Sequence, residues 1–197
     1  VPSMPGLAEA GYLTNETVFS LTELPQRIGV IGAGPIGCEL AQAFARFGSQ
    51  VFLIEAQHGL MPNDDRDAAA IVEQKMVRDG VKLLCCGKEL KFSKIDTGKR
   101  LTVDSHGQYY DITVDEILLG VGRTPNVQGL GLETAGVQYD RNGVMVNERL
   151  QTTNPRIYAA GDICSKYKFT HAADAMAQIV IQNALFPHPF GLAYASA

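Results

Sequence analysis

"RIGVIGAGPIGCELAQAFARFGSQVFLIEA", residues 27–56, carries strand, glycine turn, helix and strand in one unbroken stretch. "RIGVIG" is a short apolar run bounded by glycine, the pattern of a strand buried on both faces. Ile36, Leu40, Phe44 and Phe47 then recur at helical spacing, and Gly48 suits the left-handed residue that ends a helix. "QVFLIE" returns as a second buried strand. A strand, a crossover helix and a parallel strand within so few residues predict an α/β protein with a parallel sheet.

The turn itself is "GAGPIG". Gly32 allows the tight passage from strand to helix, Gly34 lets the backbone approach a pyrophosphate, and Gly37 lets the helix lie close on the strand. Ala33, Pro35 and Ile36 complete the loop that would touch the cofactor. Pro35 fits the first helical turn, where its missing N–H removes nothing. An anion at this helix start would meet free N–H groups and the positive end of the helix dipole. Glu55 follows Gly32 by 23 positions, at the end of the second strand. A carboxylate there accepts hydrogen bonds from the adenosine ribose hydroxyls and repels a 2′-phosphate. The next residues, "AQHGLM", hold no Arg or Lys for such a phosphate. NAD is therefore the expected cofactor and NADP the less favoured one, with His58 the one nearby group whose protonated ring would help bind a phosphate.

Outward from this stretch the alternation continues. Asp64 or Asp65 can cap a helix carrying Ala68, Ile71, Val72 and Met76, Gly80 ends it, and "VKLLCC" reads as a third strand. "ELKFSKID", "RLTVDS" and "QYYDITV" follow as a three-stranded antiparallel meander, and "EILLGVG" as another buried strand. The expected architecture is a doubly wound, Rossmann-like parallel sheet in which a three-stranded antiparallel meander replaces one crossover. Residues 1–20 show little periodicity and read as connector rather than core. "VMVNERLQTTNPRIYAAGD" gives short strands, and an apolar helix starting near Thr170 expects cover on nearly all sides.

The net charge of −4 and pI near 5.5 argue against nucleic-acid or anionic-membrane partners. No apolar run is long enough to span a bilayer, and Val1 opens no secretory signal, so a cytoplasmic protein is expected. Cys38, Cys85, Cys86 and Cys164 form no C-x-x-C, and adjacent Cys85 and Cys86 should point to opposite faces of a strand. They read as small buried hydrophobes. His58, His106, His171 and His188 show no ligand spacing, and no metal ligands are expected.

"VIGAGPIGCELA", "LLGVGRTPN", "LGLETAGV" and "PRIYAAGDI", in that order, resemble the flavin-dependent pyridine nucleotide–disulfide oxidoreductases, closest in likeness to the dihydrolipoamide dehydrogenase and mercuric reductase branch. The resemblance covers nearly the whole chain. It implies that residues 24–147 are an NAD-binding domain, 1–23 the link from an FAD domain and 148–197 part of that FAD domain. It also implies roles for single residues. Gly122 matches a glycine beside the nicotinamide half of NAD, and Glu89 a position near the adenine. Glu39 matches a helix acid that pairs with a lysine beside the flavin, though it reads as well as a solvated acid. Asp162 matches the acid on the FAD ribitol, or a plain turn residue. Lys168, Phe169, Thr170 and His171 match the loop and helix start facing the flavin ring.

Pro35 departs from the bulky residue that gates the family's nicotinamide pocket. The family's own FAD glycine motif, its C-x-x-x-x-C pair and its dimerisation domain have no counterpart in the 197 residues. The chain therefore reads as the central, NAD-binding portion of a homodimeric flavin-dependent reductase, expected inactive alone. A non-catalytic NAD-binding module and a thiol-independent NADH oxidase-like flavoprotein remain the alternatives.

Overall fold

The computed structural model describes residues 3–186. The chain divides into two compact units between Gly122 and Arg123.

In the first unit, β1 (Arg27–Ile31), β2 (Gln50–Ile54), β3 (Lys82–Leu84) and β7 (Glu116–Leu119) form a parallel sheet in the order β3-β2-β1-β7. Three further strands, β4 (Gly87–Ile95), β5 (Gly98–Ser105) and β6 (Gln108–Val114), form the antiparallel meander. Side chains alternate along each parallel strand, and both faces are covered. Ile28, Val30, Val51, Leu53 and Leu118 pack with Cys38 and Ala41 of α2 (Pro35–Phe47) and Met76 of α3 (Arg66–Arg78). Ile31, Phe52, Ile54, Ile117 and Leu119 pack instead with Phe92, Leu101, Val103, Ile112 and Val114 of the meander. Each Val, Leu, Ile, Phe or Met among them contributes about 1.5–3 kcal/mol by leaving water. The meander is thus a layer that closes one face of the sheet, opposite the face that carries α2 and α3.

Local signals explain the element ends. Gly48 adopts φ 106°, and the N–H groups of Gly48 and Ser49 return to the carbonyls of Ala45 and Phe44 at 3.0 Å. Asp65, rather than Asp64, caps α3: its carboxylate accepts from the N–H groups of Asp67 and Ala68 at 3.0 and 3.1 Å.

Two expectations are corrected here. Part of the N-terminal segment belongs to the core. Leu7 and Ala10 of the short helix α1 (Leu7–Ala10), together with Val18, are buried. Leu13 bridges Leu118 in parallel, its N–H donating to Ile117 O at 2.7 Å and its carbonyl accepting from Leu119 at 2.9 Å. This covers the open edge of β7, a task that leaves no periodic trace in sequence. The second correction concerns the thiols. β3 ends at Leu84, and Cys86 takes a left-handed φ of 55°, so strand alternation does not reach the pair. Of the four cysteines only Cys38 is buried, and Cys85, Cys86 and Cys164 are half-buried.

The second unit holds a two-stranded hairpin, β8 (Tyr139–Asp140) with β9 (Gly143–Val144), a 3-10 turn at Gly161–Ile163 and the helix α4 (Thr170–Leu185). Gly161, at φ 82°, presents its Cα where a Cβ would lie 3.1 Å from Ala173 Cβ, so the turn packs directly on the helix. The helix starts where its pattern predicts. Its expected cover is incomplete: Ile181 is 50% and Leu185 73% exposed. No helix among the described residues is long and apolar enough to cross a membrane.

Candidate functional site

The glycine loop lies at the carboxyl end of β1, the edge where open α/β sheets bind ligands. Its three glycines have three different surroundings. A Cβ on Gly32, at φ 97°, would come within 2.7 Å of Gly120 O, and one on Gly37 within 1.9 Å of Gly32 O. Both positions are closed to any side chain by neighbouring backbone. A Cβ on Gly34 would meet nothing within 4 Å. That open space adjoins the start of α2, which has no side-chain cap. Its first-turn N–H groups, those of Ile36 and Gly37, have no carbonyl within the helix to bind and are the donors an anion would meet. Pro35 is the first residue of the helix and is exposed.

Glu55 stands beside this loop. One carboxylate oxygen accepts from the Ala33 N–H at 2.8 Å and the other from the Gln57 N–H at 2.9 Å. Both contacts fix the carboxylate and leave each oxygen a further lone pair. Met61 N–H donates to Ala33 O at 2.8 Å, tying the loop after β2 to the glycine turn. Arg66 holds that loop from outside, donating to the carbonyls of Leu60, Met61 and Asp64. Cys38, under the turn, donates its S–H to Ala33 O at 3.2 Å. Burial, reinforced by the charges of Glu55, Glu39 and Asp64, pushes this thiol up to about 11. It is a packing group and not a nucleophile.

The other expected positions divide between the two units. Gly122, at φ 84°, follows β7, and the space where its Cβ would stand is open. Glu39 is an exposed side chain of α2. Glu89 is exposed at φ 52° within the irregularity of β4 between Lys88 and Lys91. In the second unit Asp162 and Lys168 come together, with Lys168 Nζ donating to Asp162 O at 3.2 Å. Phe169 and His171 stack at 5.4 Å between ring centroids, on either side of Thr170, the first residue of α4. Beside them runs a groove of about 810 Å³, lined among others by Arg123, Cys164, Lys168 and Met176. Burial raises the Cys164 thiol to about 11, so it too stays protonated near neutrality.

Sequence reasoning missed two features. Arg123 Nη1 donates to Asp162 Oδ2 at 3.0 Å and to Lys168 O at 2.9 Å, joining "GRTPN" to "AAGD". Its place directly after Gly122 was the available signal. The second is a group of four side chains, His58, Cys85, Cys86 and His106, whose ligand atoms all lie within 4.8 Å of one another. No spacing rule finds it, because the residues come from three separate segments.

The chain resembles mercuric reductase of Staphylococcus aureus, at 36% identity over 186 residues, which is 94% of this chain and 34% of that protein. It is also 36% identical over 162 residues to dihydrolipoyl dehydrogenase of Bacillus subtilis, covering 82% of this chain and 35% of that enzyme. Among solved structures, the HOCl-induced flavoprotein disulfide reductase RclA of Escherichia coli superposes with a TM-score of 0.84 at 31% identity, over 98% of this chain and 43% of that one. The chain thus spans about a third of the length of these curated relatives. The profile of the family described as pyridine nucleotide-disulphide oxidoreductase matches residues 1–178, and the chain belongs to that family.

Proposed function

We propose that this chain is the NAD(H)-binding portion of a flavin-dependent disulfide or metal-ion reductase, and that it positions NADH for hydride transfer to FAD. The observation that carries the reading is the pairing of Glu55 with the glycine loop: a carboxylate held by Ala33 N–H beside an uncapped helix start and the open space at Gly34. In this reading the pyrophosphate lies at the N–H groups of Ile36 and Gly37, and Gly34 leaves the room it needs. The free lone pairs of Glu55 receive the adenosine ribose hydroxyls, and its charge opposes a 2′-phosphate, so NAD is preferred over NADP. Glu89 lies toward the adenine and Gly122 toward the nicotinamide. Pro35, a rigid ring at the first helical position, cannot swing as a gate. The sheet with its covering meander is the Rossmann-type, doubly wound scaffold for that site.

FAD, when bound, supplies the hydride acceptor. Asp162, Lys168, Phe169, Thr170 and His171 are the residues of this chain that would face it, with Arg123 holding Asp162 and the Lys168 carbonyl in place. Glu39 would pair with a lysine near the flavin. These groups supply one wall, and the remaining FAD and dimerisation parts of a homodimeric enzyme would supply the rest. Four free cysteines fit a reducing compartment, the cytoplasm.

Calorimetric titration with NADH and NADPH tests the reading. NADH should bind more tightly, and equal or tighter NADPH binding sinks the preference. Glu55→Ala should weaken NADH by roughly tenfold or more, since hydrogen bonds to a charged group contribute about 1.5–3 kcal/mol. Glu55→Gln should narrow the gap between the two nucleotides by removing the repelling charge.

A further inference from the structure

We propose that His58, Cys85, Cys86 and His106 form a four-coordinate site for a thiophilic divalent cation of the zinc class. The ligands come from three segments: His58 from the loop after β2, the cysteines from the link between β3 and β4, and His106 from the turn between β5 and β6. Cys85 Sγ lies 3.1 Å from His106 Nε2, and Cys86 Sγ 3.6 Å from His58 Nδ1. A tetrahedral ion with Zn–S of about 2.3 Å and Zn–N of about 2.0–2.1 Å needs ligand atoms about 3.3–3.8 Å apart along its edges. Both sulfur–nitrogen pairs lie near that range, and all four ligand atoms fall within 4.8 Å of one another. Two thiolates with two imidazoles favour zinc-like ions, and no carboxylate joins the set to attract calcium or magnesium.

The backbone holds the ligand segments together without the ion. Cys86 N–H donates to Gln57 O at 2.9 Å, joining the cysteines to the His58 loop. Ser105 Oγ donates to Cys85 O at 2.6 Å, joining them to the His106 turn. Left-handed backbone at Cys86 (φ 55°) and His106 (φ 54°) turns the chain at both places. Both histidines are exposed and both cysteines half-buried, so the ion can enter from solvent. Binding displaces the two thiol protons to water; two thiolates and two neutral imidazoles then balance the dication. The site is independent of the nucleotide reading, although Gly87 N–H donates to Glu55 O at 2.8 Å and so connects the two neighbourhoods.

Cobalt(II) added to the reduced full chain is the probe. One equivalent should give the intense visible bands of a tetrahedral ion together with thiolate-to-cobalt charge transfer, and zinc(II) should bleach both. Cys85→Ser and Cys86→Ser should each lower the charge-transfer intensity to roughly half, while Cys164→Ser leaves it unchanged. His58→Asn and His106→Asn change exposed side chains, so they test the site even where a cysteine variant fails to fold. Each should weaken cobalt binding at least tenfold. Only weak octahedral bands in the unmodified chain, or tetrahedral bands that persist in the double histidine variant, would overturn the proposal.

Discussion

Two glycines three residues apart in one motif do different work, and substitution separates them. Gly34 has φ −71° and ψ 179°, a conformation open to any L residue, with nothing near its missing Cβ. Gly34→Val should therefore fold with nearly unchanged stability and lose NADH binding by at least tenfold, because its methyls fill the pyrophosphate space. Gly37→Ala meets Gly32 O at 1.9 Å, so helix and strand must separate. It should lower stability by about 1–3 kcal/mol or more, the range of overpacked cores. Urea midpoints and NADH titration of both variants check the pair; full NADH affinity in folded Gly34→Val would refute the phosphate cradle. The close packing at Gly32 and Gly37 and the open space at Gly34 were legible in sequence because they are set within a few residues of the turn. The cluster at Cys85 and Cys86 was not. It depends on a left-handed φ at Cys86 and on a hairpin turn that brings His106 across 20 residues, and neither follows from local composition.

At the scale of elements, the strands and helices from Arg27 to Leu119 followed from apolar period and caps, since each buries its own face. What the pattern could not give was the partner of each face. The apolar runs of β1 and β2 say only that both sides are covered; Leu101 lying 3.2 Å from the Cβ position of Gly29 shows that β5 supplies one cover. The other cover is fastened by Asp79, which follows α3. Its carboxylate accepts from Gln42 and Arg46 of α2 at 2.8 Å each, and from Lys75 at 2.9 Å. The Lys75 ammonium first, then Arg46 and Gln42, hold the Asp79 carboxyl below its ordinary value despite partial desolvation. A lowered folded-state value means stabilisation that is complete above the unfolded carboxylate range, about pH 4, and lost as pH falls through the folded value. Asp79→Asn should thus lower Tm at pH 7, and the gap to the unmodified chain should close below about pH 4. A gap that stays constant from pH 7 to pH 3 would show that the charge is not what joins α2 to α3.

For the whole molecule, the question is which cofactor these 197 residues can hold unaided. The groups proposed to hold NAD, namely the glycine loop, Glu55, Glu89 and Gly122, all belong to the first unit. The residues proposed to face a flavin offer much less. Asp162 is half exposed and already paired with Arg123, and Phe169 is 54% exposed and stacked on His171. A flavin needs a pyrophosphate cradle of its own, and the sequence holds one G-x-G-x-x-G, not two. No pair of cysteines has C-x-x-x-x-C spacing, and Cys38 and Cys164 are both held protonated near neutrality. The purified 197-residue chain should accordingly be colourless, bind NADH, and show no NADH oxidation with a disulfide or mercuric ion as acceptor. Absorbance of the purified protein, NADH titration and a turnover assay measure these separately. A flavin band near one equivalent per chain would show that the second unit completes a flavin site by itself, against the division of labour between the two units. Colourless protein that fails to bind NADH would instead locate the error in the first unit.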